Sequence, residues 1–452
     1  MVNPPGSGRW DVIVIGGGIT GAGVARDCAM RGLKTLLLEA ADPGCRTTAA
    51  STHLIHGGLR YLLYDRLTTH VTAWDSGRIV AAAGDMLTRL PILWPVYRWH
   101  RHGLETVETL LEEYDFFQRM KGGRPHLRLS PEETLKTVPG LARDGLQGAV
   151  AFDEWWVDAV GLVEANLGSA RRHGAEVRSG TPVTGLLLDR GRVAGVRTAD
   201  GEFAASMVVN ASGPWIARTA SWAGARIGLT LRKGSHLVYD RRLLPTALIL
   251  QALGRDRYVF IAPADTKTLV GPTDLPGPAD PDATASAPEE AAWILASVRP
   301  YFQAFPEDYS RVSVGSRPIL DVTGDEKLLS RGFEVFDHET RDGVGGFVTV
   351  GGGKMSDFRL MAESAADLVC EKLGLHAPCR THLETLAGRP ASAPAGFSPP
   401  PKGLQDFLKK RPRLRELFAL SHLGASLIRH WARRLSRGQE LSSAEALAAH
   451  FR

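Results

Sequence analysis

The run Gly16-Gly17-Gly18-Ile19-Thr20-Gly21 limits what this chain can become more than any other stretch of it. Four apolar β-formers, Val12 to Ile15, lead into it. Ala22 to Arg31 has helical composition and meets a stop at Gly32. Thr35-Leu36-Leu37-Leu38 then reads as a second buried strand, ending on the acid Glu39. Strand, glycine turn, helix and strand form a βαβ unit, which requires a parallel sheet with helices packed on it. Gly16 allows the tight turn, Gly18 lets backbone N–H groups approach a pyrophosphate, and Gly21 brings helix close to strand. The helix N-terminus adds unpaired donors and partial positive charge. Glu39 can accept both hydroxyls of an adenosine ribose and would repel a 2′-phosphate. A lone Gly-x-Gly-x-x-Gly is weak; the whole unit around it points to a dinucleotide.

Flavin and nicotinamide dinucleotides share this turn. Its place near the N-terminus, and a second run at Gly351-Gly352-Gly353, favour a long flavin cofactor held from both ends of the chain. The second run follows a strand at Gly346–Val350 and opens a helical segment at Asp357–Leu373. Its helix N-terminus would stabilise the negative charge of a reduced flavin; a strand–helix turn with no ligand reads the same way. Asn210-Ala211-Ser212-Gly213-Pro214-Trp215 ends a third apolar strand and would set small residues beside the cofactor, though alone it is an ordinary turn.

The 452 residues, 44% hydrophobic, imply two or three domains rather than one core. The four cysteines form no Cys-x-x-Cys pair, so no zinc or iron–sulfur site is expected, and nothing reads as a disulfide framework. A formal charge of +5 favours anionic partners without choosing among them. Met1 to Trp10 lacks a signal-type apolar stretch, and no apolar run approaches the roughly 20 residues of a membrane span. The expected location is therefore cytoplasmic, or peripheral on the inner face of the membrane.

Residues 72–120 read as mainly helical. Ser130-Pro131-Glu132-Glu133 and Ser286-Ala287-Pro288-Glu289 read as helix starts of the capping-box kind. Gly185–Asn210 reads as three strands with turns at Asp189-Arg190-Gly191 and Ala199-Asp200-Gly201. Residues 387–403 form a Pro/Ala/Gly/Ser linker, and 404–452 a basic helical region. Apolar residues such as Phe407, Leu417 and Trp431 alternate there with Lys409, Arg411, Arg433 and other cations. That mixture suits an interfacial helix on anionic lipid, or equally a helical cap with a solvated basic face. No aromatic-interleaved basic motif supports nucleic-acid binding.

The segment Ser51-Thr52-His53-Leu54-Ile55-His56-Gly57-Gly58-Leu59-Arg60-Tyr61 concentrates two histidines, an arginine and a tyrosine on a glycine-broken stretch. A flavin enzyme oxidising an alcohol needs a base for the hydroxyl proton, a path for hydride to flavin N5, and fixed charges for the rest of the substrate. Histidine suits the base, although a packed, hydrogen-bonded histidine is as natural a reading of His56. Other cations stand beside turns in Lys233-Gly234-Ser235-His236, Ser316-Arg317-Pro318, Ser330-Arg331-Gly332 and Gly353-Lys354. Each alone reads as a surface ion-pair residue, and spacing does not say whether they converge.

With these segments, and with WWVDAVGLVEAN, VVNASGPW, LVGPTD and GGGKMSDFRLMAE, the chain resembles the FAD-dependent glycerol-3-phosphate dehydrogenases, among the D-amino-acid-oxidase-like flavoproteins, from about Asp11 to Gly388. The resemblance implies an α/β (α+β) two-domain flavoprotein, with a Rossmann-like FAD-binding domain, a mixed-sheet substrate domain and a short helical C-terminal region. The implied FAD-binding parts are 1–80, 146–230 and 339–386, and the substrate parts 81–145 and 231–338. It implies a catalytic set of His56, Arg60 and Arg317. Arg60, Tyr61, His236, Thr273, Arg317, Arg331 and Lys354 would wall a pocket for a three-carbon phosphate. FAD would lie on Gly16, Gly18, Ile19, Thr20, Gly21, Glu39, Ala40, Thr47, Ser51, His53, His56, Ser212, Gly213, Gly352, Gly353, Lys354 and Met355. The implied reaction takes sn-glycerol 3-phosphate to dihydroxyacetone phosphate with electrons passing to a quinone, and a homodimer is compatible with it. Another hydroxy acid or amine as substrate, or a flavin subunit of an electron-transfer complex, are the alternatives. The chain departs from the family at His53, where a lysine or similar residue is usual, and at Ser356-Asp357-Phe358, where Thr-Thr-Tyr is usual.

Overall fold

A computed structural model describes residues 9–63, 65–254, 257–264, 266–321, 332–392 and 397. Two sheets organise them. The first has the order 333–337, 347–352, 201–210, 10–15, 35–38 and 176–178, and the hairpin Val183–Asp189 and Arg192–Thr198 extends from strand Gly201–Asn210. Strand Trp10–Ile15 lies between Thr35–Leu38 and Gly201–Asn210, parallel to both. A strand so placed is buried on both faces and reads as a continuous apolar run. Its side chains still alternate. Val12 and Val14 face one core with helices Ile19–Met30, Ala159–Arg172 and Phe358–Lys372, while Ile13 and Ile15 face a second with Leu186, Val193 and Phe347. Helix Ile19–Met30 packs close to Phe358–Lys372 at Gly23, where an added Cβ would stand 3.0 Å from the Phe358 ring.

The second sheet runs 275–276, 229–239, 267–271, 258–264, 247–251, 87–97, 146–157 and 54–55, with Arg311–Leu320 on Leu229–Tyr239 and Leu127–Leu129 on Leu146–Val157. It is mixed, because Ala247–Gln251 and Leu87–Tyr97 pair in parallel among antiparallel neighbours. Helix Leu104–Met120 covers one face and helix Pro288–Val298 the other. The α/β character and the two-sheet plan are as the sequence implied. The linker and the basic tail fall almost wholly outside the described residues.

Some expectations need correcting. The stretch 72–120 is not one helical region: helix Arg66–Ala83 gives way to strand Leu87–Tyr97 before helix Leu104–Met120. Pro91 and Pro95 bar an uninterrupted helix there, and the strand is buried on both faces for most of its length, so it shows little two-residue alternation. The capping box at Ser130 forms as read, with Glu133 N–H donating to Ser130 Oγ at 3.2 Å and Ser130 N–H to Glu133 Oε2 at 2.8 Å. The one near Ser286 is shifted and halved: Ala287 precedes the helix without a capping side chain, and Glu290 Oε1 accepts its N–H at 3.1 Å. Strands 54–55 and 146–157 run in the second sheet and 333–337 in the first, so the sheets exchange chain at points other than the expected boundaries.

Candidate functional site

The glycine turn is shaped by side chains it lacks. Gly16 has φ of 104°, and a Cβ on it would meet Ala211 O at 2.7 Å. A Cβ on Gly21 would stand 1.9 Å from Gly16 O. Gly18 precedes helix Ile19–Met30 and offers no capping side chain to the first-turn N–H groups of Thr20 and Gly21. Thr48 Oγ1 accepts the Ile19 N–H at 3.3 Å. Glu39 leans over the turn, accepting Gly17 N–H at 2.6 Å and Ala41 N–H at 2.8 Å on its two oxygens. Each oxygen keeps a second lone pair for a ribose hydroxyl. Bare glycines, uncapped amides and an acceptor at the strand end fit the adenosine and pyrophosphate of FAD. Ala40 is exposed beyond Glu39, and Ser212, beside Gly213, donates to Asn210 Oδ1 at 2.7 Å.

The segment after the turn crosses to the second sheet. Thr47 Oγ1 donates to Ser316 O at 2.8 Å, and Ser51 Oγ accepts His53 N–H at 3.2 Å. His53 has a positive φ of 58°. Its Nε2 lies 3.1 Å from Ala49 O and its Nδ1 accepts Ala159 N–H at 3.2 Å, so both ring nitrogens tie the segment to protein backbone. Its ring also stacks on Trp156. These bonds give His53 a scaffold task whatever else it touches. Beyond it, His56 donates its N–H to Ser356 Oγ at 2.9 Å, and its carbonyl accepts Ser76 Oγ at 2.9 Å. Gly58 N–H donates to His56 Nδ1 at 3.1 Å. In that arrangement the neutral ring carries its proton on Nε2.

On the second sheet, strand alternation decides which cations face this loop. Lys233 and Ser235 point to helix Pro288–Val298, where both meet Glu290. His236 points the other way and reaches Thr52 Oγ1 at 3.0 Å. Burial, then the charge of Arg317, holds the His236 imidazole down at about 3. Its Nδ1 is buried with no hydrogen-bond partner among the described residues. Arg317 lies flat over Gly234, where a Cβ would come within 1.9 Å of the guanidinium, and donates to Thr273 O at 3.2 Å. Thr273 itself is buried, with its hydroxyl engaged by Ser235 N–H and Glu290; it supports Arg317 through its carbonyl. Arg60 is exposed, while Tyr61 is buried.

The second glycine run closes the site. Gly352 and Gly353 both have positive φ, and Gly353 N–H donates to Gly332 O at 3.0 Å. Lys354 lies 5.0 Å over the Tyr61 ring and pairs with Asp357 at 2.6 Å. Burial opposes its charge, but Asp357 and Tyr61 outweigh burial and keep its pKa above the ordinary lysine value. The unusual Asp357 is therefore the partner of Lys354, and its Oδ1 is buried with no hydrogen-bond partner among the described residues. Met355 packs on the first core. Thus the turn, the His56 loop, His236, Arg317 and Lys354 belong to one contact network, while Arg331 lies outside the described residues. Sequence reading marked Ser356 only as a departure from the family and missed Thr48, Ser76 and Glu154; the side chains of Ser76, Glu154 and Ser356 bond to the His56–Gly58 backbone. Only Glu154 left a signal, a carboxylate inside the apolar run AVAFDEWWV.

Residues 11–371 match the family of FAD dependent oxidoreductases. The chain is 33% identical to a subunit of the anaerobic glycerol-3-phosphate dehydrogenase of Escherichia coli strain K12, over 84% of this chain and 70% of that protein. It is 31% identical to the aerobic glycerol-3-phosphate dehydrogenase of Bacillus subtilis, over 84% and 71%. The fold is similar to that of the glycerol-3-phosphate dehydrogenase of Bacillus halodurans complexed with FAD, with a TM-score of 0.66 and 26% identity, over 89% of this chain and 71% of that one.

Proposed function

The chain belongs to the family of FAD-dependent oxidoreductases, and from that premise we propose that it oxidises sn-glycerol 3-phosphate to dihydroxyacetone phosphate and passes the electrons to a quinone. The observation that carries the substrate reading is that Lys354 lies over Tyr61 of the His56–Tyr61 loop, while His236, under the charge of Arg317, reaches Thr52 four residues before His56. Relatives named glycerol-3-phosphate dehydrogenase support it. The quinone rests on the family resemblance read from the sequence and on the basic, apolar stretch 404–452. No helix among the described residues is long and apolar enough to cross a membrane.

FAD, when bound, supplies the two-electron acceptor. The residues of the chain bind and orient. Arg317, braced by Gly234 and Thr273, offers a planar fork suited to a phosphate, and Arg60 adds charge at the rim. His236, buried and neutral, gives the pocket a hydrogen-bonding group without a further positive charge. His56 stands at the reacting end, and Gly58 fixes its tautomer: with Nδ1 accepting, Nε2–H donates to the substrate oxygen. Taking up the hydroxyl proton instead requires the ring to give up the Gly58 bond. His56→Asn separates these roles, because asparagine can donate but cannot serve as the base. Flavin reduction slowed roughly 100-fold or more fits a base, within the usual range for one, whereas a loss under about tenfold fits a donor.

The reading as a whole is tested by anaerobic bleaching of the bound flavin with glycerol 3-phosphate, lactate, 2-hydroxyglutarate and glycine. Bleaching by glycerol 3-phosphate alone is expected. The Lys354–Asp357 pair favours one second reading, since it neutralises a cation and suits a less highly charged hydroxy acid. Bleaching by lactate, with none by glycerol 3-phosphate, would replace the first reading with the second.

A further inference from the structure

Behind His56 lies a charged cluster that the proposed chemistry does not use. Tyr114, on helix Leu104–Met120, and Lys121, just past its end, close on Glu154 in strand Leu146–Val157. Tyr114 Oη donates to Glu154 Oε1 at 2.7 Å. Lys121 Nζ pairs with Glu154 Oε2 and donates to Asp153 O at 3.0 Å. The three residues are 0%, 1% and 3% exposed for Tyr114, Lys121 and Glu154. Burial pushes the lysine pKa down and the glutamate pKa up, each against the pull of the other.

Such a pair does little for stability. Removing two charges from water costs nearly what their attraction returns, and apolar residues of similar volume often fold as well or better. The cluster does, however, reach the loop. Glu154 Oε2 accepts the Gly57 N–H at 3.3 Å, and a Cβ on Gly57 would stand 2.3 Å from Tyr114 Oη. The neighbouring peptides are gripped in the same way. His56 N–H is held by Ser356, His56 O by Ser76, and Gly58 O by Thr69 Oγ1 at 3.1 Å. Gly58 N–H is thereby aimed at His56 Nδ1. An apolar pair would fill the space behind Gly57 but could not accept its N–H.

We propose that Tyr114, Glu154 and Lys121 are positioning residues that, through the Gly57 peptide, fix the orientation and tautomer of His56. This rests on reading His56 as the hydrogen-bond donor at the reacting end, with Nε2–H toward the substrate oxygen. The decisive variant is the doubly substituted K121M/E154L holoenzyme, which removes both charges together and leaves neither unpaired. Full flavin content, a retained cooperative fold, and flavin reduction slowed about tenfold to a hundredfold are expected, a range set by what small misplacements of a reacting group do. KM should change less than kcat. A readout that needs no substrate is the nitrogen resonance of His56 in histidine-labelled holoenzyme, assigned with H56N. The wild type should show a single Nε2–H tautomer and the double variant a mixture. Wild-type reduction rate together with an unmixed tautomer overturns the proposal. If the double variant does not fold, K121M/E154M, which likewise removes both charges and the acceptor, replaces it under the same criteria. Tyr114→Phe, which deletes one hydroxyl, should slow reduction about two- to fivefold, as for one neutral hydrogen bond. Absence of bleaching by glycerol 3-phosphate in the wild type bears on the substrate instead, and leaves the tautomer comparison intact.

Discussion

The glycine turn and the His56–Gly58 loop are both backbone devices, built by opposite means. The turn takes its shape from missing side chains: Gly16 and Gly21 touch within the local βαβ unit, and Ala211 from the third strand closes on Gly16. The loop takes its shape from side chains that are present. Thr69, Ser76, Glu154 and Ser356 arrive from one helix, a strand and the second glycine run to hold its peptides. The first arrangement is local in the chain and serves a widely shared group, a dinucleotide. The second is assembled in three dimensions and holds the loop that the proposed function sets beside the substrate. Damage should therefore differ in kind: in the turn it should abolish cofactor binding, and in the loop it should leave the cofactor bound and the chemistry slow.

The largest expected effect comes from Gly21→Ala, whose Cβ would sit 1.9 Å from Gly16 O. Backbone cannot yield that distance, so the purified protein should carry no flavin absorbance. Gly57→Ala meets instead the end of a side chain, Tyr114 Oη at 2.3 Å. It should keep its FAD and lose rate. If Gly57→Ala emerged colourless, or Gly21→Ala yellow, the contrast between the two devices would fail.

A smaller effect is expected from Glu39→Ala. Hydrogen bonds to a charged group contribute about 1.5–3 kcal/mol, so FAD affinity measured by fluorescence on release should fall roughly ten- to a hundredfold, with the fold retained. The smallest effect concerns His236. Its folded pKa of about 3 lies below the ordinary value of about 6.5. The folded state thus prefers the neutral ring, and the stability this gives is fully present above about pH 6.5 and lost as pH falls toward 3. The loss approaches about 1.4 kcal/mol per pH unit within that window. His100, held by burial at about 4, adds a similar slope. Thermal unfolding between pH 4 and 6 should therefore flatten by about one proton in His236→Gln; an unaltered slope would mean that His236 does not titrate as placed.

Legibility followed the same division. The turn, its strand and helix, and Glu39 could be read from the sequence because the residues that make them are neighbours. The three strands of Gly185–Asn210 were readable for the same reason, their turns being marked by Asp-Arg-Gly and Ala-Asp-Gly. Leu87–Tyr97 was not, because burial on both faces erases the pattern that distinguishes a strand. His53 stood out in its segment and Thr273 came only through the family resemblance, and neither reading showed that backbone groups and Glu290 would engage them. Lys233 and His236 stand three residues apart in one motif and point to opposite faces, which only the strand register reveals. Asp357 was an anomaly in the sequence and became a lysine's partner once Lys354 was placed.

The interleaving of the two sheets also governs how the molecule comes into being. Strand Trp10–Ile15 finds one neighbour at Thr35–Leu38 but must wait for Gly201–Asn210 on its other side, and that strand waits in turn for Phe347–Gly352. During synthesis the glycine turn is made first and stays on an unfinished sheet until well over three hundred residues have left the ribosome. Pairings this distant close slowly, and unpaired strand edges invite wrong partners in the meantime. For the nascent chain, then, the second glycine run is a late clasp, and yield in the cell will depend on how well the early strands are shielded before it arrives.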